Sequence, residues 1–184
     1  MPPPSEAPTP PRYSLWLMPP APVYDRFARL IDALSRRFGT PRFAPHITLA
    51  STGAELAGDA PARAAALAAE LAPVPVRLLD VAHTDDYFRS LFVRAQRTPA
   101  LLAAHRLAAA RLGTEPAEDF MPHLSLLYGE LPRDTKERLI EEIGRRFDVD
   151  FTAAHLVLCL PAGAPQGWRT LGPFALTGGA PASD

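Results

Sequence analysis

Two short stretches of this chain carry the same chemistry-bearing residues in the same order. FAPHITLAS runs from Phe43 to Ser51, and FMPHLSLLYG runs from Phe120 to Gly129. Each holds a phenylalanine, then a proline, a histidine, an apolar residue, a hydroxyl residue and a leucine. Side chains alternate across a β-strand, so His46 and Thr48 share one face while Ile47 and Leu49 take the other. The same alternation sets His123 and Ser125 against Leu124 and Leu126. Each phrase therefore buries two apolar anchors and presents an imidazole and a hydroxyl roughly 6–7 Å apart at Cα. Two imidazoles with near-neutral pKa values can serve as general base and general acid in one turnover. Two hydroxyls can donate to the non-bridging oxygens of a tetrahedral anion held between them, and phosphate is the natural anion. Opening a cyclic phosphodiester needs a water activated on one side of phosphorus and an alkoxide protonated on the other. Two facing histidines supply both without a metal.

Other readings of these residues are weaker. A lone histidine in an apolar strand is usually a hydrogen-bonded structural residue. Of the five histidines here, though, only His46 and His123 combine a preceding proline with a hydroxyl at +2. The chance of that pairing is roughly 10⁻⁴ before allowing for other patterns that would have drawn notice. A zinc site needs three or four ligands, and neither phrase sets a Cys, Asp or Glu beside its histidine. The chain has no G-x-S-x-G elbow, P-loop or dinucleotide fingerprint. No metal and no cofactor are expected. His83, His105 and His155 lack the phrase, and alanine at any of them is expected to leave kcat within about tenfold, with His105 reading as structural or surface.

Composition narrows the partners. The chain has 184 residues, is 47% hydrophobic and carries a formal net charge of −1. That is ample for one large domain or two small lobes sharing a core. It offers no bulk positive field for a long nucleic-acid duplex, so no stable nucleic-acid complex is expected. The single cysteine, Cys159, sits in an apolar run and reads as core. No apolar run approaches the ~18–20 residues of a membrane span. The opening MPPPSEAPTPPR has neither the basic nor the apolar region of a secretory leader, so a cytoplasmic monomer is expected.

The elements that must position the two phrases alternate in type. Residues 1–12 are proline-rich and read as a flexible tail, residues 13–176 as one domain, and residues 177–184 as a second tail. Strands are expected at YSLWLM, HITLA, VPVRLLDVAH, YFRSLFVRA, HLSLLY, AHLVLCL and WRTLGPFAL, about seven in all. Helices are expected from Val23 to Phe38 with Gly39 as a stop, from Pro61 to about Leu71, and from a Thr98 cap to Gly113. A fourth is expected from an Asp134–Glu137 capping box to about Phe147. The fold class is α+β.

PHITL and PHLSLLYG resemble the paired motifs of the two-histidine phosphoesterases. Taken with YSLWLMPP, PRFAPHITL and YFRSLFV, in that order and spacing, they resemble the cyclic phosphodiesterase branch known from plants and yeast. The similarity runs from about Tyr13 to Leu176. It implies a bilobal fold in which two antiparallel sheets flank a central cleft, with helices outside. It implies metal-free opening of a nucleoside 2′,3′-cyclic phosphate to the 2′-phosphate, or of ADP-ribose 1″,2″-cyclic phosphate to the 1″-phosphate. His46 and His123 fall on the catalytic positions, and Thr48 and Ser125 on the phosphate-binding ones. Trp16 and Tyr128 match aromatic positions lining the cleft, although strict alternation puts Tyr128 on the face opposite His123 unless Gly129 or a bulge turns it inward. Phe88 and Phe92 offer an apolar wall for a base or core packing, and Arg89 and Arg94 could meet a second phosphate. An RNA 2′,3′-cyclic phosphodiesterase or 2′,5′-ligase-like enzyme acting on RNA ends, and a non-catalytic nucleotide-binding module, remain as alternatives.

Overall fold

In the computed structural model, which describes residues 13–52 and 59–179, the chain forms four α-helices and eight strands, one strand more than the hydrophobic periodicities predict. Strand β1 (Tyr13–Leu17) leads to helix α1 (Ala21–Phe38), whose buried stripe is Phe27, Ile31 and Leu34. Gly39 ends α1 in the left-handed conformation at φ 65°, and its N–H returns to the Ser35 carbonyl. Strand β2 (Ile47–Thr52) follows, then the alanine-rich α2 (Ala60–Glu70), β3 (Val74–His83) and β4 (Leu91–Ala95). Helix α3 (Pro99–Arg111) starts on the expected cap, with the Thr98 hydroxyl accepting from the Leu101 N–H at 3.2 Å. Strand β5 (His123–Leu127), α4 (Arg133–Ile143), β6 (Arg146–Ala153), β7 (His155–Leu160) and β8 (Arg169–Ala175) complete the chain. Within YFRSLFVRA, Tyr87–Arg89 form a 3₁₀ turn, and only Leu91–Ala95 is strand.

The end of α4 corrects the sequence expectation. The helix stops at Gly144, at φ 99°, and does not reach Phe147. The next residues, RFDVDFTA, alternate in burial and pair antiparallel with β3 as an eighth strand. Here the two-residue period of Phe147, Val149 and Phe151 wins over continuation of the helix. Arg145 and Arg146 therefore lie beyond the helix, paired with Glu141 and Asp148. The Asp134–Glu137 capping box is absent as well. Pro132 takes the cap position, and Glu137 accepts instead from Arg133 Nε at 2.8 Å.

The strands form one antiparallel sheet in the order β6-β3-β4-β5-β2-β1-β7-β8. Its middle is narrow, because β2 and β5 meet only at Ile47 opposite Leu124. The sheet thus divides into two four-stranded halves, each with one motif strand at its inner edge. These are the two sheets of the bilobal expectation, continuous through a single residue pair. The helices close the seam from behind by exchange. Helix α1, from the β1–β2 connection, packs on β5, while α3, from the β4–β5 connection, packs on β2. Leu15, Leu17, Ile47, Leu49, Leu124 and Leu126 form the centre of the core, each at most 1% exposed.

Residues 1–12 lie outside the described residues. Of the expected C-terminal tail, residues 177–179 are described and residues 180–184 lie outside the described residues. The Thr177 and Gly178 N–H groups bond to Ala68 and Leu71 carbonyls at the end of α2, at 3.0 and 2.9 Å. Among the described residues, no helix is long and apolar enough to cross a membrane.

Candidate active site

The two prolines before the histidines begin the construction of the site. The residue ahead of a proline is held extended, which leaves its carbonyl free to point back at the next side chain. In the first phrase His46 Nδ1 lies 2.6 Å from the Ala44 carbonyl oxygen, and in the second His123 Nδ1 lies 2.9 Å from the Met121 carbonyl oxygen. A carbonyl only accepts, so both rings carry their proton on Nδ1 and keep a lone pair on Nε2. Burial pushes the His46 imidazole down to about 4, against a raising contribution from the Ala44 carbonyl and with a smaller lowering one from His123. Burial also lowers His123, with the Met121 carbonyl opposing and the Arg89 guanidinium assisting.

A second shared device follows each motif hydroxyl. In the β1–β2 ladder Trp16 faces Thr48 and Leu15 faces Ala50, so Leu49 is an extra residue in β2. In the β4–β5 ladder Phe92 faces Ser125 and Leu91 faces Leu127, so Leu126 is an extra residue in β5. Each is a β-bulge three positions after the histidine. A bulge reverses the alternation beyond it. Ser51 and Tyr128, which strict alternation would send to the core face, therefore join the histidines at the cleft. The tension over Tyr128 is resolved by the bulge. Gly129, at φ 138°, then takes the chain away, with its N–H bonded to the Tyr87 carbonyl at 2.9 Å.

All seven candidate residues line one cavity of about 450 Å³ between the two halves: His46, Thr48, His123, Ser125, Trp16, Tyr128 and Phe88. Their environments differ. Ser125 donates to the Phe88 carbonyl at 3.0 Å, whereas no described residue pairs with the Thr48 hydroxyl. Trp16 stacks on His46, with ring centroids 3.7 Å apart and planes at 13°, and its Nε1–H bonds to Ser14 Oγ at 2.9 Å. Its first effect is thus to hold the His46 ring. Tyr128 is stacked on Phe43 at 3.7 Å and edge-on to Phe88 at 5.3 Å. Burial pushes its phenol well above the ordinary value, so it stays a protonated donor.

Reading by sequence missed Trp168, which enters the cavity from the lead-in to β8. It lies 5.9 to 6.1 Å from Trp16, Phe88 and Tyr128 and is held by Nε1–H bonding to the Gly163 carbonyl at 3.1 Å. An aromatic residue in AGAPQGWRT, which holds no other large apolar side chain, was the available signal. Arg89 reaches the cavity paired with Asp86, but Arg94 is turned away to Asp80 at 3.3 Å. Phe92 is buried edge-on to His123 at 5.1 Å. His83 stands outside, 4.0 Å from Glu137, and His155 is exposed at the start of β7. His105 is buried behind the sheet and not on the surface. Cys159 is core as expected, its thiol pushed up to about 12 by burial. Among the described residues, no three His, Cys, Asp or Glu side chains are grouped to hold a metal ion.

The chain and its fold have known counterparts. Residues 12–180 match the family of cyclic phosphodiesterase-like proteins. The chain is 30% identical over 130 residues to a cyclic phosphodiesterase of Arabidopsis thaliana, a match covering 71% of this chain and 72% of that protein. It is also 30% identical over 137 residues to a 2′,3′-cyclic-nucleotide 3′-phosphodiesterase of Phaeosphaeria nodorum, covering 66% and 71%. Among solved structures, the TT0787 protein of Thermus thermophilus superposes with a TM-score of 0.65 at 21% identity, covering 91% of this chain and 98% of that one. E. coli LigT complexed with 3′-AMP superposes with a TM-score of 0.61 at 18% identity, covering 91% and 99%. At those identities the likeness is one of fold.

Proposed function

The chain belongs to the cyclic phosphodiesterase-like proteins, and from that premise we propose that it hydrolyses cyclic phosphodiesters of nucleotides without a metal ion. The substrates are a nucleoside 2′,3′-cyclic phosphate, opened to the 2′-phosphate, and ADP-ribose 1″,2″-cyclic phosphate, opened to the 1″-phosphate. The observation that carries this reading is the matched anchoring of His46 and His123, each with Nδ1 tied back to a carbonyl and Nε2 left for the cleft.

His46, held neutral, takes a proton from water on its Nε2 as the water oxygen bonds to phosphorus. His123, protonated once the anionic phosphate is bound, gives the proton on its Nε2 to the departing ribose oxygen as the phosphorus–oxygen bond breaks. The step leaves His46 protonated and His123 neutral, and exchange with solvent restores both. Thr48 and Ser125 donate to the non-bridging oxygens, Ser125 by turning its hydroxyl from the Phe88 carbonyl. Tyr128 adds a neutral donor, and Phe88 and Trp168 supply the apolar faces on which a base stacks.

The test is turnover of adenosine 2′,3′-cyclic phosphate and of ADP-ribose 1″,2″-cyclic phosphate in excess EDTA, beside an RNA ending in a cyclic phosphate. Turnover of the small substrates with a 2′- or 1″-phosphate product is expected. Activity lost with EDTA and restored by Zn²⁺ or Mn²⁺ would contradict the metal-free step. Exclusive action on the RNA would transfer the reading to RNA ends, and binding without turnover would make the protein a nucleotide-binding module.

A further inference from the structure

We propose that His105 is a positioning residue that sets the two motif strands at their working separation from behind the sheet. It stands on α3, the helix that the β4–β5 unit lends to β2, and is 6% exposed. Its Nδ1 lies 2.6 Å from the Leu49 carbonyl oxygen, and its Nε2 lies 3.1 Å from the Ala117 amide nitrogen. The carbonyl only accepts and the amide only donates, so the ring is neutral with its proton on Nδ1. Its face lies flat on Phe120, with centroids 3.8 Å apart and planes at 3°.

The partners are what give these bonds a catalytic consequence. Leu49 is the extra residue of the β2 bulge, one position after Thr48, and a bulge leaves a backbone group without its ladder partner. Ala117 and Phe120 belong to the segment that delivers Met121, whose carbonyl orients His123. One imidazole thus grips the first motif strand one residue past its hydroxyl and the second at its approach. The two strands otherwise meet through the single pair Ile47–Leu124. A shift of about 1 Å between acid and base costs on the order of 10²-fold in rate, so a strut across a one-pair seam bears directly on turnover.

This inference rests on the two-histidine reading above, and three variants test it. His105→Asn keeps a donor near the Nδ1 position, His105→Gln keeps an acceptor near the Nε2 position, and His105→Phe keeps the stack and loses both bonds. On adenosine 2′,3′-cyclic phosphate, His105→Phe is expected to lose at least about tenfold in kcat with KM within about threefold, and the amides to fall between it and the wild type. The second readout needs no turnover: ¹⁵N NMR of the His46 and His123 rings, which should gain Nε2–H tautomer in His105→Phe as the carbonyl anchors drift. If that variant does not fold, the two amides carry both measurements. A folded variant lacking either bond, with kcat within about twofold of wild type and both imidazole spectra unchanged, overturns the proposal whatever its melting temperature. If the wild type opens no cyclic phosphate, the functional reading fails, and the NMR comparison alone still decides whether His105 positions the two rings.

Discussion

At the scale of single residues the two halves of the site are near copies with unequal surroundings. His46→Ala and His123→Ala should each lower kcat by about 10²–10⁴, and the double variant should be far from multiplicative because the two act as a unit. The pH dependence follows from burial. Protonating His46 removes the base, and its lowered value of about 4 puts the acid limb of kcat/KM well below the ordinary imidazole range. Deprotonating His123 removes the acid, and because its value is also lowered, activity should decline already as pH rises toward 6.5. The kcat/KM optimum is therefore expected on the acid side of 6.5, with the two limbs belonging to the coupled pair. Bound phosphate favours imidazolium, so the kcat profile should lie at higher pH, and a kcat/KM optimum above about 7.5 would contradict the scheme. Thr48→Ala and Ser125→Ala should each add about 2–4 kcal/mol to the barrier, and Thr48→Ser should restore most of the loss. Ser125→Ala also orphans the Phe88 carbonyl, so it should melt earlier than Thr48→Ala in parallel thermal scans.

At the scale of elements, the paired bulges and the exchanged helices do the positioning. The bulges at Leu49 and Leu126 stand at equivalent places, yet they deliver different residues, Ser51 on one side and Tyr128 on the other. The His46 side of the cleft therefore sets Ser14 and Ser51 beside Trp16, while the His123 side sets Tyr128 beside Phe88. In the proposed reading a base stacks under Trp168, beside Phe88 and Tyr128. Truncation of a base-stacking aromatic costs about 1–3 kcal/mol, so Trp168→Ala should raise KM for adenosine 2′,3′-cyclic phosphate by about 5- to 150-fold and leave kcat within a few-fold. A large loss of kcat with unchanged KM would place Trp168 in the chemistry and not in base binding.

At the scale of the whole molecule, charge balance bears on what is admitted. The formally charged side chains lining the cavity among the described residues are Asp86 and Arg89, and they pair with each other. Both imidazoles are held down by burial, and the chain as a whole carries −1. Nothing in that balance steers a polyanion from a distance. The kcat/KM for a cyclic mononucleotide should accordingly change by less than about twofold between about 0.05 and 0.5 M salt. A steep fall with salt would point to a basic surface contacting further phosphates, as an RNA end would provide.

Much of this protein was legible in order along the chain. The doubled phrase, its leucine and isoleucine anchors, the Thr98 cap, the Gly39 stop and seven of the eight strands each rest on interactions among neighbouring residues, which contiguous sequence displays directly. What stayed hidden depends on partners far apart in the chain. A bulge exists only relative to the strand opposite, so alternation along β5 alone pointed Tyr128 the wrong way. Strand β6 needed β3 beside it to turn RFDVDFTA from the end of a helix into an edge strand. Trp168 reaches the cleft, and His105 the Leu49 carbonyl, because the halves close on each other and trade helices. Local order set which groups could do chemistry, and only the tertiary pairing decided which of them meet, since strand register and helix exchange are fixed by long-range burial that no short window of residues contains.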